Sequence, residues 1–99
     1  MKIFISQPMN GKTDEEILKE RNQAIEKIKK QYEDVEIIES YFDDYNQEDG
    51  CIPLKYLAKS IELLADADLA VFLKDWGTAR GCNIEHLCAV NYGINRIYL

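Results

Sequence analysis

The sequence predicts a three-layer α/β domain built on a parallel sheet, and three observations carry that prediction. Short apolar runs alternate with longer segments of helical period along the whole chain. The run Leu69-Ala70-Val71-Phe72-Leu73 is apolar almost without a break, as in a central parallel strand covered on both faces. The length of 99 residues, 46% of them hydrophobic, suits one compact domain spanning residues 1–99 and is too short for two. A chain of this size buries only about 60 to 65% of the surface its unfolded form exposes, so the core is economical and a homo-oligomer is expected.

Taken in order, Ile3-Phe4-Ile5 is a buried strand, ended by the turn-like Gln7-Pro8-Met9-Asn10-Gly11. Thr13-Asp14-Glu15-Glu16 has the pattern of a capping box, with acids placed favourably at a helix N-terminus. The long helix that follows carries Ile17, Ala24, Ile25, Ile28 and Tyr32 on one stripe and points Lys19, Glu20, Glu26, Lys27 and Lys30 elsewhere. Val35-Glu36-Ile37-Ile38 reads as a second strand, and Ser40 to Cys51, with turn formers and no apolar period, as a long loop. Pro53 fits the first turn of a second helix whose face Leu54, Leu57, Ala58, Ile61, Leu64 and Ala65 is expected to pack inward. After the third strand, Lys74 to Thr78 is a loop, Ala79 to Tyr92 a helix stopped by Gly93, and Arg96 to Leu99 a last strand. Right-handed crossovers then favour a doubly wound, flavodoxin-like or Rossmann-like sheet of four strands in the order 2-1-3-4, with helices on both faces. Ligands of such sheets bind beyond the carboxyl ends of the strands, which directs attention to Ser6–Lys12, Ser40–Tyr45 and Lys74–Gly81.

The formal charge is −6 and the pI near 4.7, so the chain has no broad cationic surface for a nucleic-acid polymer. The charge is unevenly spread. Glu33, Asp34, Glu36, Glu39, Asp43, Asp44, Glu48 and Asp49 fall between Gln31 and Leu54 with no Lys or Arg among them, while the remaining 12 basic and 10 acidic residues sum to +2. That acidic stretch is expected to be a solvated face. A small anion is still compatible with the region of Lys12 and Arg80. Cys51, Cys82 and Cys88 form no C-x-x-C pair, which fits reduced thiols in a cytoplasmic protein rather than a disulfide framework or a zinc site. The start Met1-Lys2-Ile3-Phe4-Ile5-Ser6 turns polar too early for a signal peptide, and no run is long and apolar enough for a membrane span.

Glu85 is the carboxylate that stands out, because helical spacing sets it in line with Gly81, Cys82, Ala89 and Tyr92 rather than with other charges. The helix amides and Arg80 favour its anion, whereas burial alone would neutralise it. A poorly solvated carboxylate is a competent nucleophile, and a partly exposed helical glutamate is the plain alternative. Asp75-Trp76-Gly77-Thr78-Ala79-Arg80-Gly81 offers glycines, a cation and free amides for an anion, although its spacing is neither the dinucleotide fingerprint nor the P-loop. Trp76 either stacks on a base or packs beneath the loop. Ser6, Gln7, Pro8, Met9 and Asn10 supply hydroxyl and amide groups for a sugar or phosphate, or form an ordinary turn. His86 points about 100° away from Glu85 around the helix and is expected to be structural. Asp66 and Asp68 precede the third strand, at the end of the sheet opposite the site, where a capping or turn role is expected.

Three stretches in order, Lys2-Ile3-Phe4-Ile5-Ser6-Gln7-Pro8-Met9, Ala67-Asp68-Leu69-Ala70-Val71-Phe72 and Arg80-Gly81-Cys82-Asn83-Ile84-Glu85-His86, carry a resemblance over nearly the whole chain. They resemble the nucleoside 2-deoxyribosyltransferase superfamily, in particular its small phage and bacterial domain-of-unknown-function branch. The resemblance implies that Glu85 attacks the anomeric carbon of a 2'-deoxyribose and displaces the base, and that water or a second base resolves the covalent intermediate. It implies a nucleoside or nucleotide as the small-molecule partner, a site shared between subunits, and no metal or organic cofactor. Relatives carry a tyrosine where Phe4 stands and an acid in the second helix near Ser60, so here the leaving base lacks an obvious proton donor. The alternative reading is a module that binds a nucleotide without cleaving it, or a plain interaction protein on the same scaffold.

Overall fold

A computed structural model describes residues 1–41 and 49–99. Four parallel strands, β1 (Lys2–Ser6), β2 (Glu36–Ile37), β3 (Leu69–Phe72) and β4 (Asn95–Tyr98), lie in the order β2-β1-β3-β4. The helices α1 (Asp14–Gln31), α2 (Ile52–Leu64) and α3 (Arg80–Asn91) connect them, which is the flavodoxin-like arrangement expected from the sequence. β1 sits between β2 and β3, pairing Lys2 with Glu36 and Ser6 with Phe72, so its carboxyl end lies at the point where the strand order reverses.

Strand periodicity divides β1 between two cores. Ile3 and Ile5 join Leu69, Val71 and Leu73 beneath Ala24 and Ile28 of α1. Phe4 faces the other way, with Ala70 and Phe72, against Leu64 of α2 and Ala89 of α3. α1 starts as its sequence dictates: Thr13 Oγ1 accepts from Glu16 N at 3.2 Å and Glu16 Oε1 accepts from Thr13 N at 3.4 Å. Gly93, at φ 71°, turns the chain out of α3 as its stop signal requires. Asp68 serves the amino end of the sheet, its Oδ2 accepting from Lys2 N at 2.7 Å.

One local expectation is corrected, and two details are added to the expected elements. α2 does not lay the face from Leu54 to Ala65 on the core, since only Leu64 is buried, Leu54 is 58% exposed, and Ala58 and Ala65 face solvent. The helix reaches the sheet with its last turn and stands beyond the sheet's carboxyl edge with its first. Arg21 was not foreseen inside, yet it is buried on the α1 stripe, where its Nη2 donates to Ile38 O at 3.0 Å and ties the helix to the end of β2. The loop from Lys74 contains a 3-10 turn at Trp76–Thr78. Among the described residues no helix is long and apolar enough to cross a membrane. Asp43, Asp44 and Glu48, and the part of the Ser40–Tyr45 loop beyond Tyr41, lie outside the described residues.

Candidate active site

Beyond the carboxyl ends of β1 and β3 lies a cavity of about 660 Å³, in the size range of small-molecule sites. The loop after β1 supplies Gln7, Pro8, Met9 and Asn10, and α2 supplies Pro53, Tyr56, Leu57 and Ser60. Thr78, Ala79, Arg80, Gly81, Cys82 and Glu85 come from the turn before α3 and from its first two turns. Phe4, Ile5 and Ser40 complete the wall.

Glu85 is 7% exposed and its Oε1 accepts from the Ser6 hydroxyl at 2.6 Å. Burial pushes its carboxyl from 4.5 up to about 7, against the opposing pull of the Ser6 hydrogen bond. Of the two influences that the sequence offered, burial sets the direction, and Arg80 is exposed. Near neutral pH the group exchanges readily between carboxylate and carboxylic acid, a useful property for attack or proton transfer. Cys82, one turn earlier on α3, is buried too. Its thiol is pushed up to about 11, first by burial, with Ser6 opposing and Glu85 adding to the rise.

The residues singled out in the sequence separate into three groups. Pro8, Met9, Asn10, Ser60, Arg80 and Gly81 are brought together with Glu85 around one cavity. Gln7 and Ser6 are turned to the protein. Gln7 lines the cavity but its Nε2 donates to Ile17 O at 2.6 Å, leaving Oε1 without a partner among the described residues. Ser6 is 1% exposed and does not line the cavity at all, its hydroxyl being engaged by Glu85. Trp76 and Lys12 stand apart. Trp76 stacks on His86 with centroids 4.2 Å apart, packs against Phe72 and Tyr98, and does not line the cavity. His86, held also by Tyr98 Oη at 2.7 Å, is structural as its helix position indicated. Lys12 is tied to Glu20 at 2.9 Å and leaves Arg80 as the cation of the cavity among the described residues.

Sequence reasoning missed Tyr56 and Cys82. The signal for Tyr56 is present in the sequence: Pro53, Tyr56, Leu57 and Ser60 share one helical face, but the overlapping stripe from Leu54 to Ala65 is the more apolar one. α3 begins with Ala79 at its N-cap, whose side chain offers no acceptor to the first amides of the helix. At Gly81 an added Cβ would meet only Leu57 Cδ1, at 3.9 Å, so packing does not demand the glycine.

Fold and cavity together define a parallel α/β domain with a buried carboxyl, Glu85, lining a cavity at the carboxyl edge of its sheet. The chain belongs to the family described as domain of unknown function DUF4406, which matches residues 1–98. No curated protein and no solved structure matches it.

Proposed function

We propose that this domain cleaves the N-glycosidic bond of a deoxynucleoside or its 5'-monophosphate, by transfer or hydrolysis, with Glu85 as the nucleophile. The observation that carries the proposal is the buried Glu85 carboxyl lining a cavity that it shares with Pro8, Met9 and Asn10 of the loop after β1, with Arg80 and Gly81 at the start of α3, and with one face of α2. The Glu85 carboxylate attacks the anomeric carbon, and the carbon–nitrogen bond breaks with its electron pair leaving on the base, which takes up a proton. Water or a second base then attacks the same carbon and releases the carboxylate. Pro8, Met9 and Asn10 border the sugar, and Arg80 with the uncapped amides of α3 favours an anionic group on it. No metal or cofactor is needed for these steps.

The test is base release from a panel of deoxynucleosides and monophosphates, followed by chromatography. Wild type should release at least one base, and Glu85→Ala should lose about three orders of magnitude or more. Equal background from both proteins removes the proposal. A second reading, ligand binding without turnover, is favoured by one observation: Glu85 is the only carboxyl group among the described residues of the cavity, so protonation of the leaving base has no acidic helper. In that case nucleotides stabilise the fold, by about 2.7 kcal/mol at 100 times the dissociation constant, without being cleaved. The homo-oligomer expected from the small core is supported by Leu54, Ile84, Leu87 and Val90, exposed apolar side chains of α2 and α3.

A further inference from the structure

We infer that Ser6 is the positioning residue of Glu85: its buried hydroxyl fixes Oε1 from behind and leaves Oε2 as the oxygen presented to the cavity. The assignment deepens the reading of Glu85 as nucleophile and rests on it for its catalytic consequence alone.

The geometry begins in β1. Ser6 ends a central strand, in register with Phe72, and its carbonyl accepts from Leu73 N at 3.0 Å. Its backbone is thereby fixed, and a serine side chain has one torsion between backbone and oxygen, so Oγ is limited to three staggered positions, of which the observed one meets Glu85. Phe4, two residues earlier on the same face of β1, carries no polar atom in its side chain. Ser6 is therefore the hydroxyl that β1 offers to α3.

Direction follows from proton count. A serine hydroxyl has one hydrogen, and donation to Glu85 Oε1 requires an acceptor there, which the carboxylate provides on both oxygens and the acid on fewer sites. The contact therefore favours the charged form, against the burial that disfavours it. Among the described residues Oε2 has no hydrogen-bond partner, and Glu85 lines the cavity, so Oε2 is the oxygen assigned to the reacting carbon. The other titratable or charged groups around the carboxyl are the Cys82 thiol on α3, Arg80 at the start of that helix, Tyr56 across the cavity on α2, and Lys12, already paired with Glu20.

Titration of the Glu85 side-chain carboxyl by carbon-13 NMR tests the assignment in the resting protein, the signal being identified by its loss in Glu85→Gln. Ser6→Ala should raise the midpoint by about one pH unit, and Ser6→Thr, which keeps the hydroxyl, should restore it. Should Ser6→Ala not fold, Ser6→Val against Ser6→Thr gives the same comparison in side chains of nearly equal shape. A midpoint unchanged on loss of the hydroxyl overturns the assignment. Where base release is measurable, the acid limb of its pH profile should move by the same amount in Ser6→Ala. The two readings fail separately: a shifted titration with no base release from wild type removes the reaction and keeps the positioning, whereas Glu85-dependent release with an unshifted titration does the reverse.

Discussion

On one face of the sheet the 18-residue helix α1 buries Ile17, Arg21, Ala24 and Ile28, and its opposite side carries exposed charge. On the other face α2 buries Leu64 alone, and α3 buries two small residues, Cys82 and Ala89, together with a carboxyl group, Glu85. The first face is packed for stability. The second gives up packing for a cavity and holds a group whose charged form the fold disfavours, which is a usual place for function to sit.

The largest expected effect separates the two faces directly. Ile28→Ala should cost about 2 to 5 kcal/mol in urea unfolding, because the side chain is 1% exposed and leaves a void under α1. Leu54→Ala on α2 should stay within about 0.5 kcal/mol in the same assay. A comparable loss from both would mean that the first turn of α2 is packed as tightly as α1.

Next in size is the pH dependence that Glu85 imposes. Its carboxyl titrates near 7 when folded against 4.5 as the ordinary value, so between those pH values the folded protein holds the extra proton. Stability from this group is then present below pH 4.5 and lost as pH rises through 7, by an amount on the order of 3 kcal/mol. Glu85→Gln should remove that fall, leaving the variant more stable than wild type at pH 8 relative to their difference at pH 4. Parallel stability curves for the two proteins would contradict it.

The smallest effect returns to α1. Thr13→Ala removes the capping box and should cost about 1 kcal/mol, with the Glu85 titration unmoved, since the cap lies on the far side of the β1 loop. A coupled change in Glu85 would show that the two faces share one cooperative frame around the site.

Much of this was readable in the chain. The short apolar run Ile3-Phe4-Ile5, the unbroken run at Leu69–Leu73 and the capping box at Thr13 placed strands and helix, because double burial and cap chemistry are local properties, and right-handed crossovers then gave the sheet order. Glu85 was legible as a lone charge on a helix line of small and apolar residues. The face of α2 was not, since two overlapping apolar stripes fit its sequence and only the neighbouring cavity chooses between them. Arg21 was equally hidden: a long cation reads as solvent-facing until a carbonyl such as that of Ile38 is brought to meet it.

By itself, then, the sequence determined the four parallel strands and their order, and it singled out the carboxyl edge of the sheet and Glu85 on which the proposed function rests. Tertiary structure decided how that group behaves. Ser6 and Glu85 are 79 residues apart, and only the pairing of β1 with β3, which carries α3 across the sheet, sets hydroxyl and carboxyl 2.6 Å from each other out of water. It also drew Lys12 and Trp76 away from the cavity to Glu20 and His86. Local sequence fixes period and caps because those interactions span a few residues; solvent exclusion and partner choice depend on residues brought together by the fold.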